Sequence, residues 1–204
     1  KRRPYKIMND ILLWQVRHFV YSHFADTTYA PRVDVTAAHF NISTEEASEY
    51  YKELHNRHAF FLELETLTIC IANPFSGIPT DFKVHANGKT YFANCAWDML
   101  GIPAALHCDA VIDAVCTESN DTVRLEIKDG QITDSDLLIH FPLPFARWYA
   151  SNGARGKKPD NPEMLKAFEL VERRGRLADV DDRAVKVADV PEEGVHVALL
   201  DSVP

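Results

Sequence analysis

The sequence predicts an α+β chain of two domains: a three-helix domain closed by a β wing over residues 1–72, and a mixed α/β domain with antiparallel strands over residues 73–204. Three observations predict this. Apolar residues recur at helical spacing up to His58, alternation of period two takes over from Phe60, and Asn73-Pro74-Phe75-Ser76-Gly77-Ile78-Pro79 punctuates the chain after Ala72. A chain of 204 residues with 46% apolar content is long enough to bury a core in each part.

Met8, Leu12, Val16, Phe19 and Val20 place an amphipathic helix over about Tyr5 to Phe24, and a short helix follows near Asp34 to Phe40. Ser43-Thr44-Glu45-Glu46 forms a capping box, with Ser43 accepting from the third backbone N–H and Glu46 reaching back. It opens a third helix with Ala47, Tyr50, Tyr51, Leu54 and His58 on one face. Phe60 to Ala72 then reads as a strand or hairpin, and three helices with a β wing make a winged-helix-like domain. In the second domain, Phe82 and Val84 alternate toward Asn87-Gly88, a type I′ hairpin signal, and the chain returns through Thr90 and Phe92. Strands follow at Ala110 to Cys116, Val123 to Lys128 and Leu137 to Phe141, with Asp129-Gly130 as a turn. Asp160-Asn161-Pro162 predicts a helix carrying Leu165, Phe168 and Val171, and Val195 to Leu200 a last strand.

Charge narrows the function. A net charge of -8 opposes a protein that works by holding phosphate backbones, since that needs clustered Lys and Arg. The third helix would present Glu45, Glu46, Glu49 and Glu53 against only Lys52 and Arg57, so the winged-helix-like domain reads as a packing platform rather than a nucleic-acid reader. No apolar run approaches the roughly 20 residues that span a bilayer. The Lys1-Arg2-Arg3 start leads into an amphipathic pattern rather than a signal-peptide core, so the expected location is cytoplasmic, with no membrane partner.

The cysteines are Cys70, Cys95, Cys108 and Cys116, with no C-x-x-C pair and no structural-zinc spacing. In a reducing compartment they are free thiols, and each taken singly is a small buried hydrophobe, Cys70 above all in Leu67-Thr68-Ile69-Cys70-Ile71. Cys95 differs in context. It follows a predicted strand and opens a short helical stretch that Gly101 and Pro103 terminate, where unpaired N–H groups and the helix dipole favour a thiolate. Asp98, three residues on, shares its face of the turn. Two readings stand: a thiolate and carboxyl acting together, or a capping Asp98 beside a packed Cys95.

The segment Asn94-Cys95-Ala96-Trp97-Asp98-Met99-Leu100-Gly101-Ile102-Pro103-Ala104 closely resembles the C-A-x-D-x-L-x-x-P-A motif of the alkylmercury lyases (organomercurial lyases). The likeness extends upstream through Asn73-Pro74-Phe75-Ser76-Gly77-Ile78-Pro79-Thr80 and downstream to Cys116 and His140-Phe141-Pro142, covering roughly Arg17 to Tyr149. These lyases also carry a winged-helix-like N-terminal domain. The resemblance implies cleavage of a carbon–mercury bond by protonation at carbon, on small organomercurials such as methylmercury, releasing hydrocarbon and Hg(II). It assigns Cys95 as the first mercury-binding thiol and Asp98 as the carboxyl that moves the proton. Soft Hg(II) prefers thiolate to oxygen or nitrogen, which suits a cysteine. No organic cofactor is implied, and small thiols or a mercury-handling reductase would accept the Hg(II).

The pattern breaks in one place. Bacterial members carry a second catalytic cysteine after the His-Phe-Pro region, where this chain has Arg147-Trp148-Tyr149-Ala150-Ser151-Asn152-Gly153-Ala154-Arg155-Gly156, and no cysteine follows Cys116. Cys116 matches a position regarded in the family as structural. Cys108 has no family equivalent but follows the motif closely enough to return toward it, which makes it a candidate second mercury ligand. His55 and His58 lack a carboxylate or cysteine to complete a metal site and read as solvated. His85 and His140 could line a cleft, and Phe75, Trp97 and Trp148 could wall an organic group, though histidines are more often ordinary structural residues and aromatic side chains more often fill a core. Besides the lyase, the sequence leaves open an enzyme of different substrate using Cys95 and Asp98, and a non-catalytic thiol-based metal binder or winged-helix regulator.

Overall fold

The computed structural model describes residues 9–116, 119–132, 137–140, 169–172 and 184–186. It is a mixed helical and antiparallel-sheet protein that divides into two compact units, Lys1–Ala72 and Asn73–Pro204.

In the first unit, α1 (Asp10–Thr27) starts where the Asn9 side chain accepts from the N–H groups of Ile11 and Leu12, at 3.0 and 3.3 Å. The predicted start at Tyr5 lies outside the described residues. α2 (Val33–Phe40) ends on Asn41 in the left-handed region, and α3 (Thr44–Asn56) opens on Ser43, whose Oγ accepts from Glu46 N–H at 3.1 Å as the capping box requires. Leu13, Val16, Val20 and Phe24 of α1 and Ala47, Tyr51 and Leu54 of α3 are all fully buried. The hairpin β1 (Phe61–Glu63) and β2 (Thr68–Ala72) pairs antiparallel with a bulge at Phe61/Leu62. It is tied to α3 by Leu62 N–H donating to His55 Nδ1 at 3.2 Å. His55 is therefore not simply solvated as its sequence context suggests, and burial holds its pKa below the ordinary value. Cys70 corrects in the other direction. Ile69 and Ile71 take the buried face of β2, so strand alternation leaves Cys70 half-exposed between them.

The second unit is built on a five-stranded antiparallel sheet, ordered β5-β4-β6-β7-β8. A short strand β3 (Phe75–Ser76) precedes it. The hairpin β4 (Lys83–Ala86) and β5 (Lys89–Phe92) turns at Asn87-Gly88, both with positive φ (52° and 72°), which is the type I′ geometry that Asn-Gly favours. A central position goes to β6 (Ala110–Val115), followed by β7 (Thr122–Lys128) and β8 (Gln131–Ile132) across the Asp129-Gly130 turn. Alternation along these strands buries Val84, Ile112, Leu125 and Ile127 on one face, and β4 is in contact with α4 (Asp98–Leu106). A second antiparallel sheet, ordered β10-β9-β11, is formed by β9 (Leu137–His140), β10 (Glu169–Glu172) and β11 (Ala184–Lys186).

Two predicted elements differ. α4 does not stop at Gly101 or Pro103. It runs through both to Leu106 and closes on His107 in the left-handed region, with Cys108 N–H donating to Pro103 carbonyl at 3.2 Å. Proline removes one ladder donor there, and the burial of Met99, Leu100, Ile102 and Pro103 itself outweighs that loss. Val171, predicted helical, lies in β10, where it pairs with Leu138 of β9, so non-local pairing overrides the local helical pattern. Leu165, Phe168, Phe141 and the predicted strand Val195 to Leu200 lie outside the described residues.

One buried polar knot should govern the first unit's stability. The Tyr51 hydroxyl donates to Pro31 carbonyl at 3.0 Å and meets Thr36 Oγ1 at 2.8 Å, and burial pushes its pKa up to about 12. Tyr51→Phe should lower the unfolding free energy by about 1–3 kcal/mol by stranding a buried carbonyl and hydroxyl, measurable by urea denaturation. An unchanged midpoint would show that the knot contributes nothing net.

Candidate functional site

β5 delivers the site. Just past its end, Ala93 bridges to Phe75, its N–H donates to Phe82 carbonyl at 2.9 Å, and its carbonyl accepts from Thr80 Oγ1 at 2.6 Å. With Ala93 held on both sides, the chain leaves the sheet at Asn94 and Cys95 and winds into α4. Met99 N–H donates to Cys95 carbonyl at 3.1 Å, so Cys95 already contributes to the helical ladder and stands at the helix N-terminal end. Asp98 falls on the same side one turn on, and Cys95 Sγ donates to Asp98 Oδ2 at 3.3 Å.

The electrostatics depart from the sequence expectation. Cys95 is only 4% exposed. Burial pushes its thiol well above the ordinary range and the Asp98 charge pushes the same way, while the backbone N–H groups of Asp98 and Trp97 offset only part of this. The resting group is a thiol, not the thiolate that a helix N-terminus alone would favour. Desolvation raises the Asp98 carboxyl from 3.8 to about 7 against the opposing hydrogen bonds from Cys95 and Asn94, although part of the residue's surface is accessible. Side by side, then, stand a protonated sulfur and a carboxyl that changes state near neutrality. Such a pair can bind a soft cation at sulfur, store the displaced proton on oxygen and return it.

Asn94 is the residue that sequence reasoning passed over. It is 6% exposed, and its Nδ2 donates to Asn73 Oδ1 (3.1 Å), Pro74 carbonyl (3.3 Å) and Phe75 carbonyl (3.0 Å). Its only sequence signal is adjacency to Cys95, because its partners lie about twenty positions away.

The other candidates do not gather here. Cys108 follows the C-cap of α4 and Cys95 precedes its first residue, so a nine-residue helix, about 13 Å at 1.5 Å per residue, stands between the two thiols. Burial raises the Cys108 pKa, and Asn87 of the β4–β5 turn opposes that rise. The structure thus does not bring Cys108 to Cys95. Cys116 is fully buried beyond β6. His85 bridges Thr90 Oγ1 and Asp113 Oδ2 at 3.0 Å each, with Arg124 donating to Asp113 Oδ1 at 3.0 Å. This ladder edges an open cleft of about 460 Å³ that includes neither Cys95 nor Asp98. Phe75 is buried, 5.7 Å between ring centroids from Tyr91, and Trp97 is half-buried in the turn between Cys95 and Asp98. Trp148 and the stretch Arg147 to Gly156 lie outside the described residues, as does the side chain of His140. Among the described residues, no group of three or more His, Cys, Asp and Glu could hold a metal ion.

Residues 75–153 match the MerB family model, alkylmercury lyase. This segment is similar to the alkylmercury lyases. Members of that family are carbon–mercury lyases, and the matched segment contains Asn94, Cys95, Asp98, Cys108 and Cys116. Among solved structures, the mercury-bound form of MerB2 is similar, with a TM-score of 0.63 and 18% identity over 94% of this chain and 89% of that one. At that identity the likeness is one of fold. No curated protein matches the chain.

The raised Asp98 value fixes the sign of a pH effect. A carboxyl that folds with a value of about 7 against an ordinary 3.8 binds more protons folded than unfolded. Its contribution is complete below the unfolded value and is lost as pH rises through about 7. The Tm of Asp98→Asn should therefore gain on the parent protein as pH rises from about 5 to about 8, and a Tm difference constant over that range would show Asp98 to be ordinarily ionised. In the same buffers, limiting iodoacetamide should label half-exposed Cys70 and Cys108 ahead of Cys95.

Proposed function

We propose that the chain is an organomercurial lyase that cleaves the carbon–mercury bond of small alkylmercurials, such as methylmercury, by protonolysis. The observation that supports this most is the 3.3 Å hydrogen bond from Cys95 Sγ to Asp98 Oδ2, inside the family-matched segment. As Cys95 sulfur bonds to mercury of R–Hg–X, its S–H proton passes along that hydrogen bond to Asp98 and X⁻ leaves. Asp98 holds the proton because its carboxyl titrates at about 7. A second sulfur donor joins mercury as a thiolate, its own proton left to solvent, and weakens the Hg–C bond; Asp98 gives its proton to carbon, and R–H departs. Hg(II) remains on two sulfurs, with Asp98 ionised again. No electron changes hands, so the reaction uses protein, substrate and thiol with no organic cofactor.

The second sulfur comes from a small thiol in solution. No cysteine follows Cys116 in the sequence, and α4 separates Cys108 from Cys95. A small thiol or a mercury-handling reductase then takes the Hg(II), which places the protein in the thiol-rich, reducing cytoplasm. Among the described residues no helix is long and apolar enough to cross a membrane.

The first unit we read as winged-helix-like, from α1 to α3 and the β1–β2 hairpin. Nucleic acid is not its partner on this reading. Lys52 is paired with Glu49 at 2.9 Å, and Arg57 with Glu53 at 2.8 Å and Asp10 at 3.2 Å, so the cations of α3 are already answered by carboxylates.

Purified protein given methylmercury and excess small thiol should release methane, measured by headspace gas chromatography. Asp98→Asn should keep methylmercury binding and lose about 10²–10⁴-fold in the single-turnover rate, the range for removing a positioned general acid. The rate should rise with thiol concentration and be unaffected by Cys108→Ala. Methylmercury bound at Cys95 without methane would favour a non-catalytic thiol-based binder, and neither binding nor methane a different substrate. A rate lost on Cys108→Ala and indifferent to thiol would return the second donor to that residue.

A further inference from the structure

We propose a second reactive site, in which Thr90, His85 and Asp113 on the outer face of the five-stranded sheet act as nucleophile, base and orienting carboxylate and take an acyl group from small, neutral, activated carboxylic esters. Strand register builds it. Val84, Ile112 and Leu125 are buried, so alternation turns their neighbours His85, Asp113 and Arg124 to the other face. Thr90 lies directly opposite His85, and Arg124 directly opposite Asp113. Lys83 of β4 is opposite Asp113 of β6, which brings Asp113 diagonally beside His85. The chain of hydrogen bonds that results has a direction. Arg124 Nη1 donates to Asp113 Oδ1 at 3.0 Å, and Asp113 Oδ2 lies 3.0 Å from His85 Nε2. A carboxylate has no proton to give, so Nε2 carries the hydrogen, and the neutral ring then presents its Nδ1 lone pair to Thr90 Oγ1, 3.0 Å away. Hydroxyl, base and orienting carboxylate in that order are what activate a hydroxyl as a nucleophile. Cross-strand polar pairs also occur as plain sheet contacts. This one differs in its place, because Thr90 and His85 both line the open cleft of about 460 Å³ and Thr90 is exposed. Lys89 and Lys128 line the cleft too and offer positive charge to an oxyanion, while Asp109 and Glu126 in the same lining disfavour an anionic substrate. Asp113 and Arg124 stand behind the ring, outside that lining, and are positioning residues.

The Thr90 hydroxyl proton passes to His85 Nδ1 as Oγ1 bonds to the ester carbonyl carbon. The bond from that carbon to the leaving oxygen then breaks, and the leaving oxygen takes the proton from His85, which gives acyl-Thr90 and a free alcohol or phenol. Water completes the cycle: it gives a proton to His85 Nδ1 as its oxygen bonds to the acyl carbon, and Thr90 Oγ1 departs with that proton, releasing the carboxylic acid. The activity uses neither Cys95 nor Asp98 and does not rest on the lyase reading. p-Nitrophenyl acetate tests it, once iodoacetamide has blocked the half-exposed thiols of Cys70 and Cys108. The parent protein should release nitrophenolate and carry acetyl on the Thr90 peptide, located by mass spectrometry. His85→Gln should slow release about 10²-fold, the lower end of the range for a positioned general base. Thr90→Val should remove both the release and the acetyl peptide, and Thr90→Ser should retain them. Valine suits a strand, and His85→Gln carries the test if Thr90→Val does not fold. Asp113→Asn should slow release and, in the ¹⁵N spectrum of His85, weaken the Nε2–H tautomer of the parent, a readout that a purely structural role would not move. Equal release from the parent, Thr90→Val and His85→Gln, or acetyl confined to lysines and the N-terminus, would overturn the proposal. So would an Nδ1–H tautomer of His85 in the parent.

Discussion

The site depends on a single part-buried hydrogen bond, Cys95 Sγ to Asp98 Oδ2 at 3.3 Å across the first turn of α4. Neither partner is unusual alone. A thiol and a carboxyl three residues apart on an exposed helix would be a loose contact, with the carboxyl ionised and the thiol free to rotate. Here the sheet prevents both. Ala93 is held by Phe75, Phe82 and Thr80, Met99 and Ile102 on α4 are fully buried, and Cys95 enters the helix between these two fixed points. The strand-to-helix junction thus supplies geometry, and the core beneath it supplies the low dielectric that sets proton affinities.

Which of two opposing effects wins at Cys95 follows from their sizes. A helix N-terminus is worth about 0.3–1 kcal/mol to a nearby anion and up to about 2 kcal/mol in partly buried geometry. Full burial can displace a pKa by roughly 3–5 units, at 1.36 kcal/mol each. Desolvation is therefore the larger, and the like charge of Asp98 adds to it. The same desolvation acts on Asp98 and lifts it to about 7. Burial thus gives the pair both its inert resting state and its ability to hold a proton near neutral pH.

Much of this architecture was legible because it is local. The Asn87-Gly88 turn, the Ser43 cap and the alternation of β6 and β7 each require only a few adjacent residues, and all appear as their residue types dictate. What escaped was non-local. Pro103 reads as a helix stop, yet the buried face of α4 carries the helix past it. Val171 reads as helical until Leu138 is known to pair with it. The Cys95–Asp98 juxtaposition was readable from an i, i+3 spacing, whereas its protonation was not, because burial belongs to the tertiary structure. Asn94 was invisible for the same reason: its partners at Asn73, Pro74 and Phe75 reach it only after the chain has folded back.

A protonated thiol beside a carboxyl that can take its proton suits protonolysis better than the thiolate that the helix start alone would favour. Cleaving a carbon–mercury bond needs a soft donor for the metal and a proton for the carbon, and a thiolate site would have to find that proton elsewhere. The Cys95 thiol brings both, and bonding to mercury is what releases its proton, so the acid is generated only when substrate is present. Asp98 at 3.3 Å is close enough to receive it directly, and its affinity near neutrality lets it release the proton again without a large barrier in either direction. A carboxyl at its ordinary value would hold the proton too weakly to store it, and one raised several units higher would be slow to give it up. The burial that silences the thiol at rest is, on this reading, the same feature that keeps its proton in place for the carbon.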